Sequence, residues 1–220
     1  MHYKVLGRVV CTENTAKPRK QSCRYLCDWI RIHPSVAYAL DYGCGRLRYA
    51  EELAGRAEFL TLVDSEEQLS RTQMINDAET TVRAYARSEW PRSRVLSTEE
   101  FDRDQQKYDL ILCANVLPVI PNCRVRAAVL RRLCAALNED GTCLFVCQYR
   151  NSYFKEMEHF DGAVQYLDGW AVLRKNGKST YYGLLPNKLV DRLLRRSGFE
   201  LVRSWVAGQS AYVLCRASRN

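Results

Sequence analysis

The sequence predicts an α/β chain: a three-layer αβα sandwich whose mostly parallel, seven-stranded sheet ends in an antiparallel hairpin. Three observations carry this. From residue 36 onward, short apolar runs alternate with helical patterns, the rhythm of a sheet built through crossover helices. The run Tyr108–Cys113 is apolar and bounded by charge, as a central strand covered on both faces should be. Phe199–Val206 and Ser210–Arg216 flank Ala207-Gly208-Gln209, a hairpin signal.

Taken in order, Tyr3–Val10 reads as a short strand, followed by the polar loop Thr12–Pro18. Pro18 suits the first turn of a helix, where its missing N–H costs nothing. That helix runs from Arg19 to about Ile32, with Tyr25, Leu26, Trp29 and Ile30 as one apolar stripe, and His33-Pro34 ends it. Val36–Leu40 is strand one, Arg46–Ala57 a helix, and Phe59–Val63 strand two. Glu66 to about Arg87 reads as one long helical stretch, which Trp90-Pro91 breaks. Arg94–Leu96 is strand three and Tyr108–Cys113 strand four. Asn122 caps a helix reaching Leu137, Asp140-Gly141 supplies a turn, and Thr142–Cys147 is strand five. Residues 148–185 hold no sustained period and read as irregular. Pro186 opens a helix over Asn187–Arg196, which Ser197-Gly198 stops. The expectation is a single domain: a cap segment (1–35), a core (36–147), an insertion (148–185), and a terminal helix with its hairpin (186–220).

The chemistry concentrates at Asp41-Tyr42-Gly43-Cys44-Gly45-Arg46-Leu47. Two glycines let the backbone approach a ligand where any Cβ would collide. The second apolar run ends in Asp64, and an acid at that strand tip is where a nucleotide-like ligand presents its ribose hydroxyls. The dinucleotide fingerprint G-x-G-x-x-G requires glycine at position 48, which is Arg48, and no G-x-x-x-x-G-K-[ST] occurs; both cofactor classes are excluded.

At these residues the chain resembles the class I S-adenosylmethionine (SAM)-dependent methyltransferases. Their first motif, acid-x-Gly-x-Gly-x-Gly, is matched by Asp41–Leu47 with Leu47 in place of the last glycine. Tyr108–Leu117 looks like the family's fourth motif, Leu137–Phe145 like the turn into its fifth strand, and Ser197-Gly198-Phe199 with the hairpin like its C-terminal end. The resemblance covers roughly residues 36–147 and 186–216. It implies a Rossmann-like sheet, SAM as cofactor, and methyl transfer as the reaction. Gly43 and Gly45 then stand at the methionine end, with Asp41 a further cofactor-binding residue as the motif's acid, Asp64 at the ribose diol, and Ser97, Thr98 or Glu99 at the adenine. Asn115 faces the transferred methyl and Val116 is a further cofactor-binding residue, although Asn115-Val116-Leu117-Pro118 is not the N-P-P-[YF] motif of exocyclic-amine methylation. Candidate catalytic residues, if a base is used, are Tyr149, Arg150 and Tyr153. Arg150 offers a planar fork for a carboxylate or phosphate, and His159, Tyr181 and Tyr182 are further candidates for the acceptor wall.

Charge is uneven. Residues 1–40 carry seven Lys/Arg against two Asp/Glu, residues 41–148 fourteen against seventeen, and residues 149–220 twelve against six. A slightly acidic core between basic flanks draws an anionic partner. The leading expectation is an anionic small or medium-sized acceptor. RNA or DNA is the alternative acceptor, with the basic flanks on phosphates. Separately, the loop Thr12–Pro18 is expected to close over the site, with Lys17 and Arg19 facing an anion. Other SAM-consuming alkyl transfer or cyclisation, and a scaffold without catalysis, are further alternatives. The ten cysteines include no C-x-x-C, and Cys143 and Cys147 lie about 13 Å apart along a strand, so they are expected to be reduced, mostly buried thiols, with no metal. No apolar run reaches membrane-spanning length and no secretory core follows Met1, so the reading is a cytoplasmic protein with no membrane partner.

Overall fold

The computed structural model describes residues 1–148, 156–174 and 179–218. Fourteen strands and seven α-helices are present among them. The principal sheet has seven strands, in the order β13 (Phe199–Ala207), β14 (Ser210–Ala217), β9 (Leu137–Gln148), β8 (Tyr108–Ala114), β3 (Val36–Tyr42), β4 (Ala57–Asp64) and β7 (Arg94–Ser97). β3 runs parallel to both β4 and β8, and β4 parallel to β7. β14 pairs antiparallel with β9 and with β13. This is the expected mixed, mostly parallel Rossmann-like sheet with its terminal hairpin. The chain builds outward from β3 to β7, then returns to place β8 on the other side of β3. That reversal is the topological switch at which open α/β sheets hold their ligands.

By internal contacts the chain groups into two units. The first to consider is Ala16–Leu112 with Ala136–Thr142. It holds α1 (Arg24–Ile32), α2 (Ala50–Ala54), α3 (Glu66–Ser70), α4 (Val82–Glu89) and α5 (Thr98–Arg103). Its core is apolar strand residues such as Leu40, Leu60, Leu62, Val63 and Ile111 packed with Leu53, Leu69 and Phe101 from the helices. α1 begins at Arg24, not Arg19, because Pro18 and Ser22 are extended and leave only a 3-10 turn over Arg19–Gln21. α2 is shorter than the expected Arg46–Ala57: Leu47 has φ +60°, which no right-handed helix accommodates.

The long helix expected over 66–87 is absent. Between α3 and α4 the chain makes a hairpin of β5 (Gln73–Ile75) and β6 (Ala78–Thr80). Asn76 and Asp77 take φ +44° and +67°, the paired left-handed geometry of a type I′ turn, for which Asn and Asp are suited. Thr81 then caps α4, accepting from the Ala84 N–H at 3.1 Å.

The second unit comprises Met1–Thr15, Cys113–Ala135 and Cys143–Asn220. β1 (His2–Val5) and β2 (Arg8–Cys11) form a hairpin where one strand was expected, turning through Leu6 and Gly7, both at positive φ. The segment expected to be irregular contains an antiparallel sheet of β10 (Ala163–Tyr166), β11 (Gly169–Val172) and β12 (Thr180–Gly183). Four-residue strands are too short to show alternation in the sequence. The hairpin joins this sheet through the Val10–Ser179 bridge, and Val5, Val10, Ala171 and Tyr181 form a shared core. α6 (Cys123–Ala136) is capped as expected, Asn122 Oδ1 accepting from Arg124 and Val125 N–H groups. α7 (Asn187–Arg196) ends at Gly198, φ +91°. Gly141 lies within β9 and not in a turn; glycine is needed there because a Cβ would stand 2.5 Å from the Tyr108 carbonyl oxygen.

Candidate active site

The glycine loop leaves the carboxyl end of β3 and is held almost entirely by the end of β4. Gly43 and Cys44 N–H groups both donate to the Val63 carbonyl, at 2.8 and 3.0 Å. The Gly45 N–H donates to Asp64 Oδ2 at 2.8 Å, while Asp64 Oδ1 accepts from the Ser65 N–H at 2.8 Å. Below it, buried Gln68 donates from Nε2 to the Gly45 carbonyl at 2.7 Å. Three positions of the loop are left-handed: Gly43 (φ +79°), Gly45 (φ +56°) and Leu47 (φ +60°). The position where the motif has its third glycine thus keeps a glycine's backbone conformation although it carries leucine. The strain, about 1–2 kcal/mol, is offset because the Leu47 side chain is fully buried, worth about 1.5–3 kcal/mol.

Asp41 sits beneath this loop, buried, with Oδ2 lacking a hydrogen-bond partner among the described residues. Burial first, and the neighbouring Asp64 second, lift its carboxyl to about 7. Burial also raises Asp64, against the pull of the Gly45 and Ser65 N–H groups. The Cys44 thiol, buried beside both acids, is pushed well above the ordinary range. Two neighbouring carboxyl groups, one with a buried oxygen lacking a partner among the described residues, favour a cationic group beside them.

Ser97 lies in register with Asp64 at the ends of β7 and β4. Its hydroxyl is committed to α5, accepting from the Glu100 N–H at 3.1 Å in a capping box. Thr98 is buried and donates to Glu99 Oε2 at 3.1 Å, and Glu99 is exposed. Asp41, Gly43, Gly45, Asp64, Ser97 and Thr98 therefore share one unit and one strand-end rim. Asn115 and Val116 follow the carboxyl end of β8. Asn115 has φ +60°, its N–H donates to the Val146 carbonyl at 2.7 Å, and its Oδ1 accepts from the Gln148 N–H at 3.1 Å. Asn tolerates this conformation better than most residues, and here it ties the end of β8 to the end of β9.

The catalytic candidates Tyr149, Arg150 and Tyr153 lie outside the described residues. His159 is exposed in a 3-10 turn. Tyr181 is not an acceptor wall but core: it is fully buried, and its hydroxyl donates to Asp168, with the Tyr166 carbonyl oxygen 3.2 Å away as the alternative acceptor. Arg19, expected to face an anion, pairs with Glu51.

Two residues escaped the sequence reading. Gln68 was signalled only by Ser65, whose cap on α3 fixes which helix face turns to the loop. Ala16 packs on Gly45, its Cβ 3.5 Å from where a Gly45 Cβ would stand. The Pro18–Arg46 bridge and the bond from Arg48 to the Gln21 carbonyl hold the same segment against the loop.

This strand-end acid pair and glycine loop stand, on this strand order, where open α/β sheets hold nucleotide-like ligands. A methyltransferase-domain family model matches residues 19–204. The chain is 35% identical over 214 residues to the uncharacterised protein YmfD of Escherichia coli K12, covering 97% of this chain and 95% of that one. Among solved structures it is similar in fold to DhpI in complex with S-adenosylhomocysteine (TM-score 0.62, 15% identity, 88% and 82% of the two chains). It is also similar to the Burkholderia thailandensis 1,6-didemethyltoxoflavin-N1-methyltransferase (0.62, 16%, 89% and 78%) and to the Streptomyces caelestis methyltransferase CcbJ (0.62, 15%, 93% and 98%). The chain belongs to the methyltransferase-domain family and is a class I SAM-dependent methyltransferase. No helix among the described residues is long and apolar enough to cross a membrane.

Proposed function

We propose that this methyltransferase acts on an anionic small or medium-sized molecule, with the Asp41–Asp64 rim holding its cofactor. The orphaned, buried Oδ2 of Asp41 carries the cofactor reading: a buried acceptor without a partner is costly, and the amino group of SAM is a cationic donor suited to it. Asp64 already accepts two backbone N–H groups, yet a carboxylate has about four lone-pair sites. Two remain for the ribose hydroxyls. Ser97 and Thr98, on the same rim, are proposed to line the adenine side.

When bound, SAM supplies a methyl group already activated by its sulfonium. The chain's own task is to fix the acceptor atom in line with it, and such alignment supplies up to about 7–11 kcal/mol of the barrier. Asn115 and Val116, with Tyr149, Arg150 and Tyr153 following β9 in sequence, are proposed to contact the acceptor. Arg150 would hold its anionic group. The net charge of +6 over residues 149–220 supports the anionic character, and the small molecules named for two proteins similar in fold, 1,6-didemethyltoxoflavin and mitomycin, support the size. Ten free cysteines suit the reducing cytoplasm, where we place the protein.

The test is incubation with methyl-labelled SAM and cell extract separated into small-molecule, nucleic-acid and protein fractions. Label in the small-molecule fraction, with stoichiometric S-adenosylhomocysteine, is expected. Label confined to nucleic acid or protein overturns the acceptor reading, and methylthioadenosine as the nucleoside product overturns methyl transfer.

A further inference from the structure

α6 and α7 belong to the same unit, and their carboxyl ends meet where the Cys134 thiol donates to the Gly198 carbonyl at 3.1 Å. On α7, Lys188, Arg192 and Arg195 are exposed at i, i+4 and i+7, one face of the helix, with exposed Arg196 beside them. Buried Val190 and Leu194 face the other way. On α6, Arg124 and Arg131 are exposed at i and i+7, with exposed Ala128 and Ala135 on the same stripe. α6 contains no acid, and α7 only Asp191.

Two ordinary explanations of surface cations fail here. Among the described residues, no carboxylate forms an ion pair with any of these six side chains. The helix dipole favours Arg195 and Arg196 at a carboxyl end, but Arg124 and Lys188 are each the second residue of their helix, where the dipole opposes a cation. A like-charged row at i, i+4 also weakens a helix. Apart from the attraction of Asp191 for Arg195, nothing among the described residues offsets this repulsion, which a bound anion would relieve.

We infer that the exposed rows of α6 and α7 form a docking surface for the phosphate backbone of a nucleic acid. Five of the six cations are arginine, whose planar fork matches a phosphate in two hydrogen bonds. Lys188 to Arg195 spans about 10 Å of helix, over which one strand presents about three phosphates. A lipid surface fits less well: it requires large apolar side chains beside the cations, and none of the large exposed hydrophobics lies on α6 or α7. This surface is independent of which acceptor the enzyme methylates.

The test is fluorescence anisotropy of the full chain with a labelled 20-nucleotide single-stranded RNA and a 20-base-pair DNA duplex of mixed sequence, titrated with KCl. Binding to at least one is expected at 50 mM KCl, weakening steeply with salt. The triple variant Lys188→Gln, Arg192→Gln, Arg195→Gln should bind at least tenfold more weakly, with a salt slope shallower by about two to three. A control of equal charge change on exposed residues elsewhere, Arg87→Gln, Arg92→Gln, Arg103→Gln, should stay within threefold. Circular dichroism and SAM binding verify that both variants are folded. No binding at 50 mM KCl, equal loss in the two triples, or capture by phosphatidylserine vesicles without nucleic-acid binding each overturns the inference. Which of RNA and duplex binds more tightly identifies the source of the phosphates.

Discussion

Asp41 has a protonation state that the cofactor would change. Buried beside Asp64, its carboxyl is lifted to about 7, against about 4 in an unfolded chain. The folded state therefore binds this proton more tightly, so its contribution to stability is complete below pH 4 and is lost as pH rises through 7. Between those values stability falls by up to about 1.4 kcal/mol per pH unit from this group. Denaturant midpoints should fall more between pH 5 and 8 in the wild type than in Asp41→Asn. Cationic SAM favours the carboxylate form, so its affinity should rise about tenfold from pH 6 to pH 8. Calorimetric titration showing equal pH dependence in Asp41→Asn would remove Asp41 from the cofactor site. Leu47 gives the complementary case, in which backbone and side chain compete. Leu47→Gly relieves a left-handed leucine but forfeits a larger burial term, so the melting temperature should drop by a few degrees. SAM affinity should hold within threefold, because the loop already follows a glycine path. A large loss of affinity would mean that the leucine side chain shapes the site. The loop's acid and glycines were legible in sequence as residue types at a spacing. Its left-handed leucine was not, since φ is decided by the bonds from Val63, Asp64 and Gln68 that surround it.

Between elements, the firmest tie in the second unit is the Arg126–Asp168 pair. Arg126, on α6, is fully buried; its Nε donates to the Ile120 carbonyl at 2.8 Å and its guanidinium grips both oxygens of Asp168, in the β10–β11 turn. The Asp168 carboxyl also accepts from the Tyr181 hydroxyl. Burial raises its proton affinity, but the bonds from Arg126 and Tyr181 outweigh this and hold it below the usual range. Removing Asp168 leaves a buried guanidinium without its counter-charge. Asp168→Ala should cost about 3 kcal/mol, the low end for a buried pair because the carboxylate is partly open to water. In Arg126→Met/Asp168→Leu much of that loss should return; a double variant no more stable than Asp168→Ala argues that the ion pair itself carries the fold. Sequence periodicity found α6, α7 and the sheet strands, which are long or uniformly apolar. It missed β5–β6 and β10–β12 because three or four residues cannot display a period. Asn76 and Asp77 adopt left-handed backbone more readily than most residues, but neither residue type by itself excludes a helix.

At the scale of the molecule, alternation of apolar runs and helices was enough to order the sheet, because parallel connections obey one handedness. What alternation cannot reveal is the joining of residues 1–15 to residues 143–220, which rests on pairings such as Val10 with Ser179, more than 150 positions apart. The residues proposed for the methionine, ribose and adenine of the cofactor, Asp41 to Thr98, by contrast fall within one unit, while Asn115 and Val116 belong to the other. A ligand bound there stabilises the chain by mass action: at a hundredfold excess over its dissociation constant, SAM contributes about 2.7 kcal/mol. For a chain of this size that corresponds to a rise in melting temperature of about 5–10 °C. S-adenosylhomocysteine, which keeps the amino group and the ribose diol, should produce a shift of the same order, whereas NAD and ATP should produce none. Asp64→Asn separates most of the duties of that side chain: its amide oxygen can still accept from Gly45, but its amide nitrogen can accept neither from the Ser65 N–H, a bond lost at the start of α3, nor from a hydroxyl. The variant should therefore melt within a few degrees of the wild type alone and show at least tenfold weaker SAM binding. A full SAM shift in Asp64→Asn would confine Asp64 to holding the glycine loop and move the ribose contact elsewhere on the rim.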